Sequence, residues 1–436
     1  MGVNKMNKKS YKYNRGGTKQ SFFLKEEDMY VLTILYYKRY LTTRQMTMLY
    51  SAIRGVSCKE GDIFKKLKRY CQYGGLLTRK IDKIEGSVTK RAVFSLKESA
   101  IQFLQEKGRI PQNASTREVH IDKLSNHTMC SREILTQTLL QVSQKTQEQS
   151  LLKYVDVRSF FIQNNVSIKE HKFDFVPDEF ISYKEKQVYI EMDMLTETHG
   201  ILIEKTAKYI EYARQSNEDI ALVFVLFDQS MYGSKDVKPP YGRMKNLLFA
   251  LRTYHEQLMS IQNLRVYVCS LHEAGNVISD FLLGADDYFG KEYFEQNILL
   301  PLSKRTVGDA DWRYAFVEKV QTFKELIDGG LRRAYRRDKD VIQDFFFIFG
   351  HENEYRAIAR LDDVVFSRRE GDTAIPLVVI YPKREKNRDI LLMDTYDNVL
   401  LLSTGNESVN IDTDENIMVR AANSQYPRKR KKKELY

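Results

Sequence analysis

Cysteine is scarce in this 436-residue chain. There are four, Cys58, Cys71, Cys130 and Cys269, and no two stand in CxxC spacing. That usage argues against a structural zinc site and for a reducing compartment. No run approaches the ~18–20 apolar residues a membrane span requires. The first twenty residues are polar and basic and lack the apolar core of a secretory signal, so a cytoplasmic protein with no membrane partner is expected. No His-x-His is present, which argues against a nickase that holds its metal with paired histidines. No GxxxxGK occurs either, and Gly329-Gly330 precedes no lysine–threonine pair, so nucleotide hydrolysis has no phosphate loop to work with.

What the chain does have is positive charge, unevenly placed. The net formal charge is +11. Residues 1–20 hold six Lys and Arg and no acid, and residues 427–436 hold six against Glu434, so the block between them is neutral. Within that block residues 21–110 carry 18 Lys and Arg against 9 Asp and Glu. A basic module on an acidic body, with a basic tail at either end, suggests a polyanion handled at one end.

The basic module reads as helix, helix, helix, hairpin, helix. Leu24–Tyr37 has helical spacing, and Thr42 or Thr43 caps a short helix through Met46 and Tyr50. Lys59–Tyr73 is a third helix stopped by Gly74-Gly75. Two β-like runs, Leu76–Lys80 and Lys90–Leu96, precede a closing helix Lys97–Lys107. That order predicts a winged helix-turn-helix whose third helix enters the major groove of duplex DNA. Lys65, Lys66, Lys68 and Arg69 would face the groove. Arg79, Lys80, Lys83, Lys90 and Arg91 would touch phosphates from the wing.

Beyond a linker near Pro111–Thr116 and a helical pattern over Met129–Gln149, strand and helix patterns alternate. They run Tyr154–Phe161, Lys172–Val176, Gln187–Met194, a helix Gly200–Gln215, Ile220–Phe227, a helix Arg243–Ser260 and Leu264–Ser270. This predicts an α/β sheet. Acidic residues punctuate it: Pro177-Asp178, Glu191-Met-Asp193 and Thr196-Glu197. Residues two apart on a strand share a face, so Glu191 and Asp193 point together, and two like charges side by side call for a cation or a donor between them. The plainer account makes them the solvated face of a half-buried strand. His127, with no second histidine at ligand spacing, reads as structural.

The segments Tyr30-Val-Leu-Thr-Ile-Leu, Arg39-Tyr-Leu-Thr-Thr-Arg-Gln45 and Gly75-Leu-Leu-Thr-Arg79 resemble the winged helix of the replication-relaxation family, proteins of bacterial plasmids and other mobile elements. The order Pro177-Asp178, Glu191-Met-Asp193, Thr196-Glu197 and Lys208-Tyr-Ile-Glu-Tyr212 extends that resemblance and is similar to the restriction-endonuclease-like, PD-(D/E)xK fold. An active enzyme of that fold holds Mg²⁺ on carboxylates and uses a lysine toward the attacking water. Here Asp193 stands where the motif lysine would be. Lys205 or Lys208 on the next helix could replace it, or Asp178, Glu191 and Asp193 could hold metal without one.

In the C-terminal third, Asp311–Asp340 reads as a helix bearing Arg332, Arg333, Arg336 and Arg337. Phe345–Phe349, Ile375–Tyr381 and Asp389–Met393 read as strands. The expected fold class is thus α/β (α+β, multidomain). Its parts are a basic disordered tail (1–20), a winged helix (21–110), linker and helix (111–150), a PD-(D/E)xK-like α/β domain (151–305), a C-terminal α/β region (306–420) and a basic tail (421–436). The resemblance implies sequence-specific binding of duplex DNA at an origin or transfer site, as a homodimer and alongside other replication or mobilisation proteins. A Mg²⁺-dependent nuclease and a winged-helix transcriptional regulator remain alternatives. Pro427–Lys433 would also pass as a nuclear localisation signal.

Overall fold

The computed structural model describes residues 10–14, 21–83, 90–116, 125–146, 177–228, 230 and 240–284. Further along it describes 306–307, 310–316, 330–336, 341–349, 353–359, 377–381 and 399–403. The chain mixes helices with several sheets and divides into two compact units. One comprises Met1–Pro240 with Cys269–Leu283; the other comprises Tyr241–Val268 with Gly284–Tyr436. That division differs from the expected boundaries at 110, 150 and 305: the basic module and the acidic strands fall in one unit.

In the first unit, β1 (Ser10–Asn14) and β2 (Ser21–Lys25) form an antiparallel ribbon. A disordered tail was expected over residues 1–20, and Ser10–Asn14 corrects it. Tyr11 and Tyr13 lie opposite Leu24 and Phe22, a period-two apolar face that supplies the burial a flexible tail lacks. α1 (Glu26–Lys38) follows, with Glu26, Glu27 and Asp28 in its first turn, where acids favour the helix dipole. After β3 (Leu41–Thr42), α2 (Thr43–Arg54) starts on a capping box. Gln45 N–H donates to Thr42 Oγ1 at 3.2 Å, and Thr42 N–H donates to Gln45 Oε1 at 3.0 Å. Gly55, at φ +67, closes α2 in the left-handed conformation.

α3 (Glu60–Arg69) runs into one wider helical turn, Tyr70–Gly74, and Gly75 at φ +60 ends it. β4 (Leu77–Lys83) and β5 (Lys90–Leu96) form a hairpin, with β3 on the far side of β5. α4 (Glu98–Glu106) closes the set. The element order is the one expected for residues 21–110.

α5 (Asn126–Lys145) packs against α2 on one side and against α9 (Leu271–Leu283) on another. Its contacts with α2 are specific. Gln45 Nε2 donates to the Met129 carbonyl at 3.0 Å, Ser143 Oγ donates to the Ala52 carbonyl at 2.7 Å, and Arg44 meets the buried Glu133 at 2.8 Å. Against α9 the approach is closer: a Cβ on Gly275 would lie 2.7 Å from Gln137 Cβ and 3.1 Å from its carbonyl carbon. Only glycine permits that crossing.

β6 (Glu179–Tyr183) turns tightly through Lys184 into β7 (Lys186–Asp193), antiparallel. α6 (His199–Gln215) crosses to β8 (Asp219–Leu226), which pairs in parallel with β7. Ile220–Leu226 are buried without a break, as a parallel strand covered on both faces requires. The expected strands Tyr154–Phe161 and Lys172–Val176 lie outside the described residues.

In the second unit, the single helix expected over Arg243–Ser260 is α7 (Tyr241–Ala250), a 3₁₀ turn and α8 (His255–Ser260). β9 (Leu264–Ser270) has its residues to Val268 here. Tyr355, in a helical turn at 355–359, lies 3.2 Å from His255 through its hydroxyl. β10 (Thr306–Val307), β11 (Ala310–Phe316), β12 (Gly330–Arg336), β13 (Val341–Phe349), β14 (Leu377–Tyr381) and β15 (Val399–Ser403) form one sheet in sequence order. The helix expected over Asp311–Asp340 is corrected to β11 and β12. Trp312, Tyr314 and Phe316 alternate at period two, and aromatic residues at that spacing favour a strand. Arg332, Arg333 and Arg336 therefore sit on a strand, while Arg337, Asp389–Met393 and residues 421–436 lie outside the described residues.

Candidate nucleic-acid interface and acidic cluster

The basic candidates divide by what already holds them. On α3, Lys68 and Arg69 are exposed. Lys65 is 80% exposed, with Asp62 3.7 Å away one turn back. Lys66 points the other way: it pairs with Asp28 and, at 3.3 Å, Glu27, and its ammonium lies 4.4 Å from the centre of the Tyr50 ring. Tyr50 is fully buried and donates to Asp28 Oδ1 at 2.8 Å. The expectation that Lys66 faces outward with its neighbours is thus corrected, because its ammonium is drawn in to the buried Asp28 and the half-buried Glu27 of α1.

On the hairpin, Arg79 and Lys90 are exposed and Lys80 is half-buried. The Arg79 guanidinium lies 5.9 Å from the Phe64 ring centre. Arg91 is held by Asp82 at 2.8 Å and by Asn126 at 3.3 Å, so it braces the hairpin against α5. The Lys83 side chain lies outside the described residues. The outward set is therefore Lys65, Lys68, Arg69, Arg79 and Lys90, with Lys80 at its margin.

Asp178, Glu191 and Asp193 lie on or beside β7, and each has its own partner. Glu191 is 2% exposed and Asp193 is fully buried, which corrects the picture of a solvated strand face. Glu191 Oε2 accepts from Lys205 Nζ at 2.9 Å, and Oε1 accepts from the Tyr209 hydroxyl at 2.6 Å. Lys205 also lies 3.3 Å from both oxygens of Glu197. Burial pushes the Glu191 carboxyl up from its ordinary value, against the pull of Tyr209 and Lys205. Burial works against the Lys205 ammonium too, but Glu191 and Glu197 outweigh it and raise its pKa. Lys205 and Tyr209 stand four apart on α6, one above the other. Lys208 is exposed, and Tyr212, four residues on, donates to Gln187 at 2.9 Å. Of the two candidate helix lysines, Lys205 pairs with Glu191 of the strand.

Asp178 Oδ2 accepts from the Met192 N–H at 2.8 Å and lies 3.2 Å from His127 Nε2. The same ring nitrogen lies 3.1 Å from the Met192 carbonyl. Asp178 raises the His127 pKa, offset in part by burial. His127 was expected to be structural, and it ties α5 to the end of the acidic strands. Asp193 Oδ1 accepts from the Leu195 N–H at 2.8 Å, holding Leu195 at φ +66. Such a short-range side-chain bond is how aspartate shapes a tight turn.

Among the described residues, no three His, Cys, Asp or Glu side chains are grouped so as to hold a metal ion. As arranged, this donor set does not fit Mg²⁺: a cation at Glu191 would have to displace an ammonium, and Asp193 faces a backbone amide. No catalytic step through a metal is derived from it.

Signals for two of these partners were in the chain. Lys205-x-x-x-Tyr209 has the spacing of a helix face, beside the Lys208-x-x-x-Tyr212 pair that the motif singles out. His127 stands fifty-one positions before Asp178, and nothing local announces their meeting. None of the four cysteines is in a disulfide; Cys130 is buried, which pushes its thiol up to about 12 and disfavours the thiolate. Among the described residues no helix is long and apolar enough to cross a membrane.

The family model described as replication-relaxation matches residues 32–223. That interval begins within α1, takes in the basic helices and the acidic cluster, and ends within β8. No curated protein matches the chain. Among solved structures the chain is similar to Bacillus subtilis PadR in complex with operator DNA, at 13% identity over 52% of this chain and 90% of that one. The TM-score is 0.16, and at that value the likeness carries no argument.

Proposed function

Residues 32–223 belong to the replication-relaxation family, and from that premise we propose that the chain is a sequence-specific DNA-binding protein of a plasmid or similar element, acting in its replication or mobilisation. Residues 21–110 serve as a winged helix, and the protein binds duplex DNA as a homodimer. The observation that carries this reading is the outward basic set Lys65, Lys68, Arg69, Arg79 and Lys90 on α3 and the following hairpin. A recognition helix and its wing are basic together there, as phosphate contacts require.

Salt tests it. Five neutralised phosphates give a slope of about −4.5 in log K against log salt, so affinity for a duplex should fall several hundred-fold between roughly 50 and 200 mM salt. Replacing Lys68 and Arg69 by alanine should reduce the slope by about 2. A dissociation constant that ignores salt would refute the proposal.

A Mg²⁺-dependent nuclease is the second reading, favoured by the Lys205 ammonium standing beside Glu191 where the motif lysine is missing. We place it second because Lys205 and Tyr209 already satisfy Glu191. Supercoiled plasmid with protein and Mg²⁺ or Mn²⁺ should stay supercoiled. Nicking that Glu191→Gln abolishes would reverse the order.

A further inference from the structure

The N-terminal ribbon has two unlike faces. Its inner face is anchored to the basic module. Tyr13 is 4% exposed and packs edge-on against Phe103, with ring centres 5.1 Å apart. Phe22 packs edge-on against Tyr70 at 5.4 Å. The Tyr11 hydroxyl donates to Glu26 at 2.6 Å and accepts from Arg109 at 2.8 Å. These contacts hold the ribbon against α4 and against the turn into which α3 runs.

The outer face is polar and basic around one exposed aromatic. Its register positions include Ser10, Lys12 and Asn14 on β1 and Phe23 and Lys25 on β2. Lys12 stands directly opposite Phe23, and Lys25 is two residues further along the same face. Phe23 is 64% exposed, Lys12 and Lys25 are exposed, and no acidic residue is among these positions. A lone exposed phenylalanine is ordinary. One with a lysine across the ladder and another beside it, on a strand fixed from behind, is a basic platform with an aromatic at its centre.

We propose that this face of the ribbon binds an unpaired DNA strand, with Phe23 stacked on a base and Lys12 and Lys25 against the flanking phosphates. The proposal rests on the DNA-binding reading above and adds a second contact to it. The chemistry selects the partner. Two ammonium groups without a carboxylate favour a polyanion. A bare phenyl ring gains nothing from the phosphate backbone of a stacked duplex, whereas every unstacked base offers it a π-face. Position agrees, since Phe22 rests on Tyr70, the residue after Lys68 and Arg69 on α3. The ribbon therefore stands beside the end of the helix proposed to hold the duplex.

The test uses the full chain and two fluorescent probes, an oligo-dT strand and a duplex, read by anisotropy. Phe23→Ala should weaken oligo-dT binding about 5- to 150-fold, the range for loss of one base–aromatic stack, and leave duplex affinity unchanged. Phe23→Trp should keep strand binding. Lys68→Ala/Arg69→Ala should do the reverse of Phe23→Ala, weakening the duplex and sparing oligo-dT. Should Phe23→Ala lower the melting temperature, the exposed Lys12→Ala/Lys25→Ala pair decides in its place, with the same loss expected. Wild-type duplex binding with oligo-dT affinity indifferent to both variants would overturn the ribbon proposal and leave the DNA-binding reading standing. A wild-type chain that binds neither probe would overturn both. A dimer that Phe23→Ala converts to monomer, with strand affinity unchanged, would make the face a self-association surface and likewise overturn the proposal.

Discussion

Replacing Gly275 by alanine sets two effects of known size against each other. Gly275 lies inside α9, where alanine is favoured over glycine by about 1 kcal/mol in a helix interior. With open space around it, the substitution would therefore stabilise. The space is not open: the new methyl would stand 2.7 Å from Gln137 Cβ, 3.1 Å from Gln137 C and 3.3 Å from Thr138 N, all on α5. Two of these three atoms are backbone, so no rotamer change relieves the clash. α5 cannot simply withdraw either, because Gln45 and Ser143 tie it to α2. Overpacking of this kind costs about 1–3 kcal/mol. The clash should win, giving a net loss of up to about 2 kcal/mol and a melting temperature lower by up to roughly 8 °C for a unit of this size. Gly61→Ala is the control: it too lies in a helix, and a Cβ there meets nothing within 4 Å, so its melting temperature should hold or rise. The assay is thermal unfolding of both variants beside wild type. A Gly275→Ala chain that melts higher than wild type would refute the close crossing of α5 and α9.

Two further outcomes follow from charged groups that the fold has enclosed. Lys38 and Glu179 pair at 2.6 Å with side chains 11% and 6% exposed, so Lys38→Met should destabilise by about 3 kcal/mol in chemical denaturation, and Lys38→Met/Glu179→Leu should recover most of that. A double variant whose loss equals the sum of the two single losses would show that the pair carries no coupling. Burial opposes ionisation of Glu27, but Arg54 and Lys66 outweigh it and hold its carboxyl below the ordinary 4.5. A depressed carboxylate stabilises the fold above its unfolded value, and that stability is lost as pH falls through its folded value. The melting-temperature gap between wild type and Glu27→Gln should thus be widest near neutrality and close in acid below 4.5. A gap that widens in acid would be the wrong sign.

Local chemistry made much of the fold legible. The Thr42 cap, the Gly74-Gly75 stop and the unbroken apolar run of β8 each announce an element through one physical requirement. Where two periodicities compete, the stronger-looking one misleads. The arginines of residues 332–337 suggest a helix face, yet Trp312, Tyr314 and Phe316 carry the period that decides. The lysines of the first twenty residues hide the alternation of Tyr11 and Tyr13, whose partners Leu24 and Phe22 stand beyond residues 15–20. In the acidic cluster, the shared face of Glu191 and Asp193 follows from strand geometry alone. Their burial does not, nor does the answer to their charge. One is met by a helix lysine and tyrosine, the other by a backbone amide, and Asp178 by a histidine from α5. Such partners are set by packing between distant segments, which no short spacing encodes.

α5 has a mechanical consequence. The covalent route from the basic module to the acidic strands runs through residues 111–177, but contacts made by α5 join the two directly. Arg44, Gln45 and Ala52 of α2 clasp α5, and His127 of α5 clasps Asp178. A chain cut after residue 110 would bare the side of α2 that α5 covers, whereas one cut after 146 would keep it shielded. The helix works as a shared girder. If α3 holds DNA as proposed, these contacts set how that DNA is placed relative to the acidic end of β7.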